Sequence, residues 1–252
     1  MANPSKFYLT HMNARTQYRA TWDPTKKLVI GYIGKLQNGV LSIYSSLEKE
    51  GIPAQVQIDD SGAAMDYTSH DSVSITTKLA GSSPVAGSVL TDLDAGFSLA
   101  FKSDRSIVFQ TSNHKVHQLV NLAEIEQAVL DKYENGSWNK EWLIVTELVE
   151  ADSATIIISN SSNGVLDLKA NASAGTAQLS LANAALGLSV AREQGSTLKY
   201  ITQNGLTPLY RVMGIRHPFL GDPSLHTKSI PATGGQYSPF QIQEFDEREL
   251  AD

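Results

Sequence analysis

From Asp71 to Ala80 apolar and polar residues alternate without a break, with Val73, Ile75, Thr77 and Leu79 on one side and Ser72, Ser74, Thr76 and Lys78 on the other. A period of two marks a β-strand with one buried face, because successive side chains point to opposite faces. The pattern returns over Ala95–Lys102, where Phe97, Leu99 and Phe101 oppose Ser98, Ala100 and Lys102, and Ile107 and Phe109 continue it. The Gly/Ser/Pro segment 81–88 between the runs is a loop, so 71–110 reads as one long hairpin.

The remaining segments fit the same architecture. Residues 28–47 read as two short strands about a turn at Gln37–Gly39, with Asn38-Gly39 its strongest signal. Trp142–Val149 is a continuous apolar run, as in a strand buried on both faces. Shorter strands are expected at Ala154–Ser159, Val165–Lys169, Leu186–Val190 and Ser196–Thr202. A turn at Gln203–Gly205 then leads into a last strand, Leu206–Ile215, where Pro208 suggests an edge. One helix stands out. Asn121 and Glu124 form an N-terminal capping pattern, Leu122, Ile125, Val129, Leu130 and Tyr133 recur at helical spacing, and Asn135-Gly136 ends it. After Arg216 the chain becomes Pro-rich and aperiodic. The expected fold is α+β, a twisted and mainly antiparallel sheet with long hairpins and packed helices, over 1–216, with a tail at 217–252.

Composition narrows the function. The 252 residues carry a net charge of −6 and no cysteine, which excludes disulfides, thiol nucleophiles and thiolate metal sites. An acidic balance argues against a general nucleic-acid partner. The N-terminal stretch has no apolar signal core, and no 18 consecutive apolar residues occur, so a soluble, cytoplasmic chain is expected. Charge is nevertheless polarised. Residues 1–40 hold six bases (Lys6, Arg15, Arg19, Lys26, Lys27 and Lys35) against Asp23, while 121–150 hold seven acids against Lys132 and Lys140. The last twelve residues are acidic too, so the tail could neutralise a basic N-terminal surface.

Catalytic patterns are missing: there is no nucleophile elbow, phosphate loop, H-E-x-x-H or dinucleotide fingerprint. On a strand, His114 and His117 fall on opposite faces and make no metal pair. A pocket gathering His70, Asp71 and Asp92 would be needed to argue for an enzyme, and no cofactor is expected. Serine is the compositional oddity: 16 of 27 serines fall in 51–100 and 151–200, the regions of alternating small polar and apolar residues. Residues 71–110 and 154–202 are each long enough for a hairpin that crosses a bilayer, which needs about 9–11 residues per strand and a closed barrel. They also fit ordinary edge hairpins of a water-soluble sheet.

The order of three stretches resembles the pore-forming domain of gasdermins, particularly the compact bacterial and fungal members. These are AGFSLAFKSDRSIVFQTSNHKVHQL (95–119), EWLIVTELVEADSATIIISNSSNG (141–164) and GSTLKYITQNGLTPLYRVMGI (195–215). The resemblance implies a dormant precursor that binds anionic lipids at the cell membrane. It then oligomerises with copies of itself and inserts two hairpins as a large β-barrel in cell death or defence. Carried over by position, Lys26, Lys27, Lys35, Lys102 and Arg105 would contact lipid. Val73, Ile75, Leu79, Phe97, Leu99, Phe101, Ile157, Leu166, Leu168 and Leu188 would enter the bilayer. The hairpins would rest on the 121–133 helix in the dormant form. An activating protease cutting after Arg216, Leu220 or Lys228, or a partner protein, would displace the tail. The competing class is a non-enzymatic β-rich binding or structural module that forms oligomers without lipid.

Overall fold

The alternating runs build two antiparallel sheets in a computed structural model that describes residues 4–69, 72–170, 181, 187–215 and 240–250, with the backbone alone at Ser61 and 202–204. The elements are α1 (Pro4–Thr16), β1 (Arg19–Ala20), β2 (Tyr32–Gln37), β3 (Val40–Ser46), β4 (Val56–Thr68), β5 (Val73–Lys78), β6 (Gly96–Phe101) and β7 (Ser106–Leu119). Then follow α2 (Leu122–Glu134), β8 (Leu143–Ser159), β9 (Gly164–Ala170), β10 (Leu188–Gln194), β11 (Thr197–Ile215), β12 (Phe240–Ile242) and a 3₁₀ turn at Glu247–Glu249. The expected α+β class and antiparallel pairing are what the chain adopts.

β8 is the spine of the larger sheet. It pairs with β11 along nearly its whole length, and on its other side with β7 and then β2. β4 flanks β7, β3 flanks β2, and β1 and β12 flank the far end of β11. The smaller sheet has the order β10-β9-β6-β5.

Both faces of the larger sheet are covered. On one, Tyr8, Leu9 and Met12 of α1 and Leu250 pack against Ile107, Phe109, Ile156 and Ile158. On the other, Phe97, Leu99, Phe101, Leu166 and Leu168 of the smaller sheet pack against Val108 and Ile157. At the opposite end, Ile125 and Val129 of α2 join Ile33, Leu47, Leu119, Ile144, Ile215 and Phe240.

Several expectations need correction. Ile107 and Phe109 do not prolong the β6 strand, because the chain turns at 102–105 and β7 enters the other sheet. The runs 142–149 and 154–159 are one strand, and the expected turn at Gln203–Gly205 is instead a register shift inside β11. Pro208 sits within β11, where a second register shift between Leu206 and Leu209 accommodates its missing N–H. Asn121 makes no side-chain cap. Its Oδ1 accepts from Gln55 N at 2.8 Å and its Nδ2 donates to Pro53 O at 3.1 Å, tying α2 to the 53–55 segment. The hairpins do not rest on α2, which serves the other end of the sheet. The chain after 239 is not irregular throughout, since β12 extends the sheet and Phe240 and Leu250 are buried. Cleavage candidates Arg216, Leu220 and Lys228, together with His70 and Asp71, lie outside the described residues.

Gly96 shows how closely the smaller sheet is packed. A Cβ there would stand 2.0 Å from the Leu168 carbonyl oxygen, so β6 and β9 approach only because position 96 lacks a side chain. Gly96→Ala should therefore destabilise the protein by about 1–3 kcal/mol through overpacking, read as a lower urea midpoint at unchanged slope.

Candidate functional site

Each of the four strands β4, β7, β8 and β11 continues through a short corner into one strand of the smaller sheet. β4 leads to β5, β6 to β7, β8 to β9, and β10 to β11. The neighbour order is the same in both layers: β4-β7-β8-β11 in one, β5-β6-β9-β10 in the other. In the central pair even the register is unbroken. Gln118 lies opposite Glu147, Ser106 opposite Ser159, Phe101 opposite Gly164 and Gly96 opposite Lys169, and four residues (102–105) face four (160–163) at the corner. The arrangement is one four-stranded ribbon folded back on itself.

Serine holds the corners. Ser69 Oγ and Ser72 Oγ lie 2.6 Å apart, and Ile107 N donates to Ser69 Oγ at 2.9 Å. Ser106 Oγ donates to Ser103 O at 3.1 Å and to Ser72 O at 3.3 Å. At the second hairpin Ser196 N donates to Ser161 Oγ at 2.6 Å, and Asn160 N donates to Ser196 O at 3.0 Å. Small hydroxyls supply partners for backbone groups that a bend takes out of the ladder. On the β4/β5 edge a cavity of ≈ 300 Å³, lined by Asp66, Thr68, Ile75, Thr77, Phe97 and Gln110, leaves the seam between the layers unsealed.

Nine of the ten residues expected to enter a membrane gather in this seam. Phe97, Leu99, Phe101, Ile157, Leu166 and Leu168 are buried there, with Val73, Ile75 and Leu188 packed alongside. Leu79 is not among them. It lies beyond β5 and is 39% exposed. The five basic candidates are not brought together. Lys102 and Arg105 lie at the first corner, exposed and with no side-chain partner among the described residues. Lys27 pairs with Glu150, nine residues along β8 from the corner, about 30 Å away at strand rise. Lys35 pairs with Glu141 at 2.8 Å, and Lys26 donates to Leu41 O at 2.9 Å. Two of the six basic N-terminal residues, Lys27 and Lys35, thus find the acidic 121–150 stretch rather than the tail.

Arg19 is the exception. Only 5% exposed at its side chain, it meets Glu249 at 2.8 Å and donates to Glu244 O at 2.6 Å and Gln243 O at 3.3 Å. This clamp ties the last turn of the chain to β1, and its sequence signal was the opposite charge of the two ends. His114 and His117 do fall on opposite faces. His114 shares the register of Ala151, whereas His117 Nε2 stands 2.9 Å from Glu150, at ion-pair distance without hydrogen-bond alignment. No group of three metal-ligating side chains occurs among the described residues.

A polar cluster escaped notice in the sequence. Lys78, expected on a solvated outer face, is 1% exposed because the loop 79–95 folds back over it, and its Nζ donates to Ser82 O at 2.9 Å and Leu79 O at 3.2 Å. Asp167 is fully buried beneath the same loop. Its Oδ2 accepts from Val89 N at 3.0 Å, while its Oδ1 has no partner, a state that costs about 1–3 kcal/mol. Lys169 pairs with Asp94, and the hydrogen bonds from Lys169 and Thr91 hold the Asp94 carboxyl down at about 2. The signal was present as Leu166-Asp167-Leu168-Lys169, charges alternating with core leucines.

The fold and the folded ribbon define an α+β protein built around two bent-over hairpins. Among solved structures, the chain is similar to a subunit of the cryo-EM structure of the gasdermin A3 membrane pore, with a TM-score of 0.37 and 10% identity over 89% of this chain and 98% of that one. No family model and no curated protein matches the sequence.

Glu249→Ala leaves Arg19 buried without its carboxylate, and should cost about 2–3 kcal/mol while making residues 243–250 sensitive to limited proteolysis. His11, half-buried on α1 and hydrogen-bonded to Tyr67, has its pKa lowered by burial and then by Arg15. Above the ordinary imidazole value of about 6.5 both folded and unfolded forms are neutral at this site. As pH falls below it the unfolded chain takes up the proton first, so stability falls. Urea midpoints should drop between pH 7.5 and 5.5, and His11→Gln should flatten that slope.

Proposed function

We propose that this chain is the dormant form of a gasdermin-like membrane pore, and that its two bent hairpins straighten and insert as β-strands of an oligomeric barrel. The observation that carries this reading is the matched strand order of the two layers, with the unbroken register of the central pair. Opening the corners turns β6–β7 and β8–β9 into strands 96–119 and 143–170 without exchanging any central strand pair.

Energetics make water and lipid choose differently. Opening exposes Phe97, Leu99, Phe101, Val108, Ile157, Leu166 and Leu168. At about 1.5–3 kcal/mol per side chain, that costs roughly 10–20 kcal/mol in water. A bilayer removes most of the penalty by receiving the five from β6 and β9, and only a closed barrel satisfies the strand backbones there.

The folded ribbon also has two open edges among the described residues, β4 on one side and Thr197–Gln203 of β11 on the other. Edges of this kind add strands from a second copy head to tail, a contact that closes into rings. The same edges are the observation favouring the second reading, a β-rich module that oligomerises in water without lipid.

In this reading Lys102 and Arg105 meet anionic headgroups at the mouth of the inserted strands, and Lys26, Lys27 and Lys35 do so once Leu41 O, Glu150 and Glu141 release them. The 217–252 segment, released by cleavage after Arg216, Leu220 or Lys228 or by a partner protein, holds the dormant cytoplasmic form closed through the Arg19–Glu249 clamp. The protein is not an enzyme and needs no cofactor. Its physiological output is permeabilisation in cell death or defence.

Two double-cysteine variants test the opening, since the chain has no other cysteine. Ser69→Cys/Ser72→Cys staples a corner, whereas Ser112→Cys/Ser153→Cys staples β7 to β8 inside one layer. Dye release from phosphatidylcholine/phosphatidylserine vesicles is followed before and after limited proteolysis. Oxidation should abolish release by the corner variant, restored by reductant, and leave the in-layer variant active. Equal release by the oxidised and reduced corner variant sinks the straightening. Ring-shaped oligomers that form equally without vesicles favour the second reading.

A further inference from the structure

We infer that the loop 79–95 is the folded-back tip of the first hairpin, locked in the dormant form by Lys78 and Asp167, and that its exposed apolar residues are made to face bilayer hydrocarbon. The inference rests on the pore reading for its setting, but its geometry is separate.

Strand length raises the question. β5 and β6 have six residues each, short of the about 9–11 that a membrane strand needs. With Lys102 and Arg105 at the headgroups, the residues beyond the corner are all that can lie in hydrocarbon, and the missing length comes from the chain between β5 and β6. Continuing the β5–β6 register beyond Lys78↔Gly96 sets Leu79 opposite Ala95, Gly81 opposite Leu93 and Val85 opposite Val89. Residues 86–88 remain as the turn, and Gly87 already has the positive φ of 80° that a three-residue hairpin loop requires. The result is two strands, 73–85 and 89–101, long enough to cross.

Side-chain alternation then sorts the residues. Leu79, Val85, Val89 and Leu93 fall on the face of Val73, Ile75, Phe97 and Leu99, while Lys78, Ser82, Asp92 and Asp94 fall on the other. In the dormant form Val85 is half-buried and the other three stay exposed. Leu93 is 84% exposed, Val89 48% and Leu79 39%. A water-soluble loop has no use for three exposed aliphatic side chains on one alternating register, whereas a barrel wall has.

The lock is polar and lies on the opposite face. Lys78 Nζ holds Leu79 and Ser82 by their carbonyls, Asp167 Oδ2 holds Val89 N, and Arg192 donates to Gly87 O at 2.8 Å. In the extended hairpin this face lines the water-filled lumen, so Lys78 and Asp167 exchange loop partners for water and need not cross hydrocarbon.

The test uses the full chain with one cysteine carrying an environment-sensitive dye. Leu93→Cys and Ala80→Cys are both at exposed positions, so neither disturbs the fold. Each is mixed with phosphatidylcholine/phosphatidylserine vesicles containing doxyl-labelled acyl chains, alone and with Asp167→Asn, while dye release is recorded in parallel. The dye at 93 should be quenched at least threefold more than at 80, and Asp167→Asn should hasten quenching and speed deuterium exchange at the Val89 amide. Absence of quenching at 93, or equal quenching at 80, overturns the inference even where vesicles leak. Quenching at 93 without leakage upholds it and instead removes the pore reading.

Discussion

β8 is apolar on both faces along most of its length, and a strand of that kind cannot end at a solvated surface. Its burial dictates what surrounds it. One face takes α1 with the returning end of the chain, and the other takes the smaller sheet. The second cover is unusual because it comes from the continuation of the same strands. A sheet that uses its own extensions as a lid is stable only while the apolar faces have nothing better to meet than each other.

The corners express the same compromise at the level of hydrogen bonds. A bend removes backbone groups from the ladder, and each removed group needs another partner. Here seven serines at or beside the corners (69, 72, 103, 106, 159, 161 and 196) make these substitute bonds with one another and with the backbone. A hydroxyl bond contributes about 0.5–1.5 kcal/mol net, far less than the seam, and water or a straightened ladder replaces it readily. The seam therefore sets how strongly the ribbon stays folded, while the serines set where it bends.

This division explains what was legible. Alternation located β5 and β6 because local burial has a period, a continuous apolar run located the first half of β8, and helical spacing located α2. α1 gave no such signal, since its buried Tyr8, Leu9 and Met12 make a narrow stripe on an otherwise polar helix. The corner between β6 and β7 was invisible because apolar residues resume after it as though the strand continued. Periodicity also misleads inside the larger sheet. Phe109 and Val116 share one core although seven residues apart, and so do their cross-strand partners Ile156 and Val149, so strict alternation fails in both strands together. Lys78 was read as solvated from its polar neighbours on the strand, since nothing local to a strand says that a distant loop will cover it. The apolar seam was thus readable residue by residue, but its being a fold rather than an edge required long-range pairing.

Net charge takes on a different meaning once the charges are placed. The acids of 121–150 neutralise Lys27 and Lys35 toward the end of the sheet away from the corners, while the Lys102 and Arg105 side chains have no partner among the described residues at the bend itself. Beyond about 8–10 Å, charges on the body are screened at physiological salt, so a membrane near the bend meets the local pair rather than the total of −6. Each unpaired base near an anionic leaflet contributes about 1 kcal/mol. In the proposed reading that is enough to orient the ribbon corner-first and too little to insert it. Attraction can place the bend against the headgroups, but only the exchange of the apolar seam for hydrocarbon can open it. In the proposed inserted form these two bases mark the boundary between strand in lipid and strand in water.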